Sequence, residues 1–332
     1  MRFSEVANNS NGTNYVLAGS WGQTAGGRLQ AQSLRTTYGK CSSAYVETRQ
    51  YFGINPNPDS GLILRNAYVA YNVCTASAYV ELRGNRDAGS VIDDHVSMYY
   101  NTVNADAFVR LSPRLLIERL VQIYRNIGAY RILVNTSTAI NGTTISKATA
   151  PMIRGVLNIY GNQTPWLFVN NMYVNQGSLA ETGYVSQAYG IRFNDNAVTR
   201  ARIESANNWI DIYPDNTGIV TAPVAAIFLE RQNNYEIDFN PIVVLPTTQD
   251  FAYIYRALNC KGFRIATTAP ALKYLLQGEV SGVVLNNVPD TIEDSIFRVN
   301  PDPGTITMHS NEVGPDVYLW HKKALIGGMR AW

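Results

Sequence analysis

Apolar and polar residues alternate along most of the chain. TNYVLAGSWG, RLQAQSLRTTYG, SAYVETRQYFGI, LILRNAYVAYNV and SAYVELRG are short segments in the first third. Each carries β-branched or aromatic residues at alternate positions and is bounded by Gly, Asn, Pro or Ser, the pattern of strands and turns. In AYVELRG, Tyr79, Glu81 and Arg83 share one face and Val80 and Leu82 the other, so one side is wet and the other dry. The period then changes. Ser112-Pro113 has the form of a helix start, and Leu116, Leu120, Ile123 and Ile127 follow at spacings of four, three and four before Gly128. That spacing predicts a helix over about 113–127. Strand patterns resume in IRGVLNIYG, WLFVNNMYVN, YVSQAYGIRFN, AAIFLER and NYEIDFNPIVVL. Thr247 and Asp250 then match a capping box in form, and Phe251, Ile254, Tyr255 and Leu258 fall on one helical stripe ahead of Gly262. A second helix is expected over about 248–258.

The order of many strands, one helix and one strand therefore occurs twice. No helix follows each strand, which argues against a doubly wound α/β sheet. The expected fold is all-β: two tandem antiparallel sandwiches, residues 1–147 and 148–332, with a boundary near Gly142–Met152. IYRNIGAYRILVN (from Ile123) and IYRALNCKGFRIATT (from Ile254) stand 131 residues apart and would be the matching helix exits. On that reading Ile123 and Ile254 face inward, and Tyr124 and Tyr255 are partly buried. Arg125 and Arg256 would stand at helix C-termini, where a cation is favoured. Truncating either Ile to Ala would cost ~2–5 kcal/mol if the site is buried.

A doubled β-sandwich of this length, with a helix before a late strand in each half, resembles the double jelly-roll major capsid proteins of icosahedral, often membrane-containing viruses and phages. The resemblance covers nearly the whole chain and is architectural. It implies two upright jelly rolls with the helices at Pro113–Ile127 and Thr248–Leu258, and the seventh strands at YRILVN and FRIATT. It implies homotrimers that act as pseudo-hexamers in an icosahedral shell, made in the host cytoplasm, beside penton or spike proteins. The stretch after Gly278 holds more strand material than one roll needs. The alternative from another class is a carbohydrate-binding or phage tail-type β protein, which an aromatic-lined groove with convergent polar groups would favour. A glycosidase stands third and would need two facing carboxylates in a cleft.

Composition narrows the partners. The net charge of +2 and the absence of a basic arm give no footprint for direct nucleic-acid binding. Charged residues are only 16% of the chain, Tyr is abundant (21), and Arg greatly outnumbers Lys. Arg and Tyr are enriched, and Lys depleted, where proteins meet proteins, although codon usage produces the same skew. No positive-then-apolar leader opens the chain, and no secretory signal is expected. Cys41, Cys74 and Cys260 have no C-x-x-C spacing and read as three small buried thiols. The closing VYLWHKKALIGGMRAW (Val317–Trp332) suits an internal membrane, a neighbouring subunit or a last edge strand.

Motifs for chemistry are absent: there is no GxSxG, phosphate loop, HExxH or calcium loop. Asp93, Asp94 and His95 are adjacent, so on a strand they cannot converge on one metal, and a turn is the simpler reading. Glu230, Glu236 and Asp238 read as exposed-face residues. No catalytic, cofactor or metal residue is assigned; the expectation is a non-enzymatic structural protein.

Overall fold

The computed structural model describes residues 3–7, 12–21, 28–51, 61–84, 87, 89–128, 130–136, 144–175, 189–197, 202–206, 208–211 and 224–231. It also describes the strands at 236–238, 242–244, 252–258, 264–265, 274–277, 283–286, 295–297 and 306–309. The fold is all-β, as the alternation predicts. Its strand pairing is parallel throughout the described residues.

One coil displays the plan. Val91–Tyr99 runs along a long face, the chain turns at Tyr100 and Asn101, and Thr102–Val103 touches a short face. Asp106–Leu111 crosses a second long face. Leu116–Ile117 and Leu120–Tyr124 then return to the first face, paired in register with Val91–Tyr99. Among the described residues, repetition of this circuit yields sheets of 16, 11 and 4 strands. Eleven strands on the second face, one per coil, make a β-solenoid roughly 50 Å long at the usual strand spacing.

Every second side chain points into the coil. Leu34, Ala67, Val96, Val121, Leu157, Ile191 and Ile227 form one inner row. Val69, Met98, Ile123, Ile159, Phe193 and Leu229 form another, and nearly all of these side chains are fully buried. Burial of such rows, with one ladder of backbone hydrogen bonds per coil, makes stability close to a sum over neighbouring coils.

The corner leaving the long face is built the same way in successive coils. Tyr71, Tyr100, Arg125, Gly161 and Asp195 all have positive φ, between 51° and 64°. Each is followed by an asparagine: Asn72, Asn101, Asn126, Asn162 and Asn196. A left-handed residue reverses the chain sharply. The asparagine behind it is buried and bonds to the next one: Nδ2 of Asn72, Asn101, Asn126 and Asn162 donates to Oδ1 of its successor at 3.0–3.1 Å. The same Oδ1 accepts the preceding asparagine's backbone N–H at 3.0–3.1 Å. An otherwise orphaned corner is thereby satisfied.

Both expected helices are corrected. Residues 113–127 form Leu116–Ile117 and Leu120–Tyr124, and Ala252–Leu258 is a strand. The i, i+4 spacing arises because two short strands are joined by a bend at residues 118–119. The inward residues are Leu115, Ile117, Val121 and Ile123, while Ile127 is exposed. Ser112 caps no helix: it is buried, its Oγ donating to Gly84 O at 2.7 Å and accepting Gly84 N–H at 2.8 Å. Ile123 does face inward and Tyr124 is half-buried, but the two IYR segments are not equivalent. Ile123 aligns through Ile159, Phe193 and Leu229 with Ala257, three residues beyond Ile254. The antiparallel ladders of two jelly rolls have no counterpart among the described strands, and both long sheets continue on either side of residues 144–151. Glu230 is also corrected: it is 9% exposed and held by Arg192 and Arg231. Cys260, the side chains of Ile254, Tyr255, Arg256, Glu236 and Asp238, and the segment Val317–Trp332 lie outside the described residues.

Candidate functional site

The outward rows of the long face are the most chemically distinctive surface. Arg35, Tyr68, Ser97, Gln122, Asn158 and Arg192 occupy one register line across six coils. Two residues further along the strands, Tyr99, Tyr124 and Tyr160 form a parallel line. At the corner beyond, Tyr38, Tyr71 and Tyr100 form a third.

These tyrosines stack. Ring centroids are 4.8 Å apart for Tyr99–Tyr124 and 4.7 Å for Tyr124–Tyr160, with planes within 1° of parallel. Tyr38–Tyr71 and Tyr71–Tyr100 are at 4.9 and 5.0 Å. The columns meet edge to face, as in Tyr71–Tyr99 and Tyr100–Tyr124. Coil spacing dictates this geometry, because identical side chains one coil apart lie at a ring-stacking distance. The faces of interior rings are thus spent on one another, and edges and hydroxyls are what the surface presents.

Cations frame the strip. Arg35 Nη1 donates to Tyr68 Oη at 2.8 Å, and Arg125 donates to Tyr100 Oη and lies 5.3 Å from its ring centre. Arg192 pairs with Glu230, and Arg231 pairs with Asp195 at 2.6 Å. In the middle stand the amides of Gln122 and Asn158, both half-buried, and Asn158 Oδ1 is buried with no hydrogen-bond donor upon it.

Packing also governs the phenols. Burial first, then the neighbouring Tyr68 and Tyr71, pushes Tyr99 from the ordinary 10.0 up to about 12. Burial is likewise the largest cause raising Tyr124 and Tyr160. A folded-state value above the unfolded one favours the protonated phenol in the fold. That contribution is complete below pH 10 and is lost as pH climbs toward 12. The expected result is alkaline unfolding that begins above about pH 10 and shifts upward in Tyr99→Phe. Phenolate absorbance and circular dichroism, followed together, check it; tyrosines that all titrate near 10 in folded protein would refute it.

The second face carries another aromatic column, Tyr15, Tyr45, Tyr79 and Phe108, with centroids 4.6–5.4 Å apart. Beside it lie two buried carboxylates on adjacent coils, Glu47 and Glu81. Arg83 reaches Glu81 at 2.8 Å and Glu47 at 4.0 Å, and Arg110 reaches Glu81 at 3.2 Å while lying 4.7 Å from the Phe108 ring centre. Arginines compensate this pair, as a cross-coil charge ladder requires.

Asp93, Asp94 and His95 sit within Val91–Tyr99, a strand where a turn was expected. A register shift sets Leu64 against Ile92 but Asn66 against His95. Asp94 approaches Arg65 at 3.9 Å and His95 Nδ1 at 3.3 Å. No group of three or more potential ligands able to hold a metal occurs among the described residues. No described helix is long and apolar enough to cross a membrane. Cys41 and Cys74 are buried, as expected, and face each other across two coils with sulfurs 3.4 Å apart.

The strip was missed in the sequence because its members are dispersed over more than 150 residues. The available signal was the strand-ending series VAYN, MYYN, IYRN and IYGN. Comparison with known proteins adds no likeness to this geometry: no protein-family model, curated protein or solved structure matches the chain.

Proposed function

We propose that this chain is a non-enzymatic structural solenoid whose long face binds an extended polysaccharide lengthwise, the role of a carbohydrate-binding or tail-type β protein. The observation that carries this reading is the half-buried Gln122–Asn158 amide pair, side by side on adjacent coils and flanked by the tyrosine column. Amides and phenols on successive coils offer donors and acceptors at a constant step of ~4.8 Å. An extended pyranose chain advances by nearly the same step per sugar. Because the ring faces are stacked on one another, recognition runs through hydroxyls and amides rather than sugar–ring stacking. Arg35 and Arg125, which donate to tyrosine hydroxyls, add preference for acidic sugars.

The test is calorimetric titration against a panel of neutral and acidic polysaccharides, with wild type and Gln122→Ala/Asn158→Ala. Binding that falls at least about tenfold in the double variant, at an unchanged melting temperature, supports the reading; two lost hydrogen bonds at ~1 kcal/mol each account for that factor. Absence of binding across the panel, or equal binding by the variant, refutes it.

A trimeric shell subunit is supported by composition alone, namely the many tyrosines and the excess of Arg over Lys. The antiparallel ladders that two jelly rolls require do not occur among the described strands. Particle mass in solution separates the two: closed shells or pseudo-hexameric trimers favour the capsid, and monomers or slender fibres favour the glycan-binding solenoid.

A further inference from the structure

We propose that Cys41 and Cys74 form an oxidative cross-linking site, at which a small organic disulfide stitches two successive coils together through the inner wall. The two residues are direct register partners on the short face. Their sulfurs are 3.4 Å apart, and the residues are 7% and 2% exposed. Parallel neighbours lie ~4.8 Å apart, inside the Cα range of about 4.4–6.8 Å that a disulfide spans. Backbone bonds on both sides of the pair hold that spacing: Val73 N–H to Gly39 O at 2.7 Å and Thr75 N–H to Cys41 O at 3.0 Å. Closure therefore asks for side-chain rotation and little else. The same inner row continues as Val103 and Gly128, which carry no group to compete for either thiol.

The chemistry is two exchanges. The Cys41 thiolate, at the more exposed position, attacks one sulfur of the oxidant. A mixed disulfide forms and one small thiol leaves. The Cys74 thiolate then attacks the Cys41 sulfur, closing the protein disulfide and expelling the second small thiol. The protein loses two electrons and two protons, and the oxidant gains both as two thiols. Burial is the largest cause holding the Cys74 thiol above its usual range, and it persists after Cys41 has become a mixed disulfide. The second step is accordingly slow and proceeds through local opening of the wall.

The test incubates native Cys260→Ser protein with cystamine at mildly alkaline pH, followed by tryptic peptide mapping. The expected product joins Cys41–Arg49 to Asn66–Arg83 and weighs two hydrogens less than the separate peptides. Its melting temperature should stand a few degrees above that of reduced protein, reversed by dithiothreitol and absent in Cys74→Ala. Two cysteamine adducts without the cross-linked peptide, or two thiols unmodified after prolonged exposure, would overturn the proposal. Because both thiols face the interior while the amide pair at Gln122 and Asn158 lies on other coils, failure of the cross-link leaves glycan binding untouched, and the converse also holds.

Discussion

Asn126→Ala should cost about 3–5 kcal/mol, more than any surface substitution on the long face. Asn126 is fully buried in the corner between the long and short faces. Its Oδ1 accepts the Asn101 backbone N–H at 3.1 Å and Asn101 Nδ2 at 3.0 Å. Its Nδ2 donates to Met98 O at 2.9 Å and to Asn162 Oδ1 at 3.1 Å. Alanine removes these four bonds and the Nδ2 bond to Tyr124 O at 3.2 Å, and strands at least one backbone donor and one carbonyl where water does not reach. Each orphaned group costs ~1–3 kcal/mol. Asn126→Asp is isosteric yet lacks the donating amide and buries a charge, so it should be no milder. Asn158→Ala, on the outward strip, is the control and should shift stability by less than about 0.5 kcal/mol. Urea unfolding midpoints decide it. An Asn126→Ala variant that unfolds like the control would mean that the asparagines do not stack through the corner.

Those asparagines also mark where sequence reading stopped short. Strand character was legible, because Val80 and Leu82 alternate with Tyr79 and Glu81, but the face expected to be wet is not fully so: Glu81 is buried under Arg83 and Arg110. Pairing direction was not. Alternation records only which face a residue occupies, and the same pattern serves a hairpin neighbour or a coil 25 residues away. The corner motif was written in the chain five times, from Tyr71-Asn72 to Asp195-Asn196. Its spacings run 29, 25, 36 and 34 residues. Insertions between coils destroy the fixed period by which a solenoid is recognised. The IYR coincidence offered a more conspicuous repeat that is out of register by three residues. The helix over 113–127 failed for a related reason. A bend every few residues breaks a period of two into spacings of three and four, which imitate one face of a helix. The binding strip was least legible of all. Gln122 and Asn158 acquire meaning only when the coil sets them side by side.

Gly155→Ala should destabilise the protein by about 4 kcal/mol or more, and soluble folded material should be scarce. A Cβ at Gly155 would sit 1.6 Å from Arg119 O, 2.6 Å from Arg119 C and 3.2 Å from its Cα. The obstacle is backbone of the adjacent coil, so no side-chain rotation relieves it. Bonds on either side fix that backbone: Arg154 N–H to Ile117 O at 2.9 Å and Val156 N–H to Arg119 O at 3.1 Å. Accommodating one methyl would therefore require two coils to part at a bend whose flanks, Ile117 and Val121 in one coil and Ile153 and Val156 in the next, are buried. A glycine within a strand-like run, as in IRGVLNIYG, commonly marks such an approach. Gly89→Ala is the matched control. Its Cβ meets nothing within 4 Å, and its φ of +76° leaves only a backbone penalty of ~1–2 kcal/mol. Circular dichroism melts of both variants check the contrast. If Gly155→Ala melts within a degree or two of wild type while Gly89→Ala falls further, the bends do not stack backbone on backbone, and the coil spacing at Arg119 is wider than described.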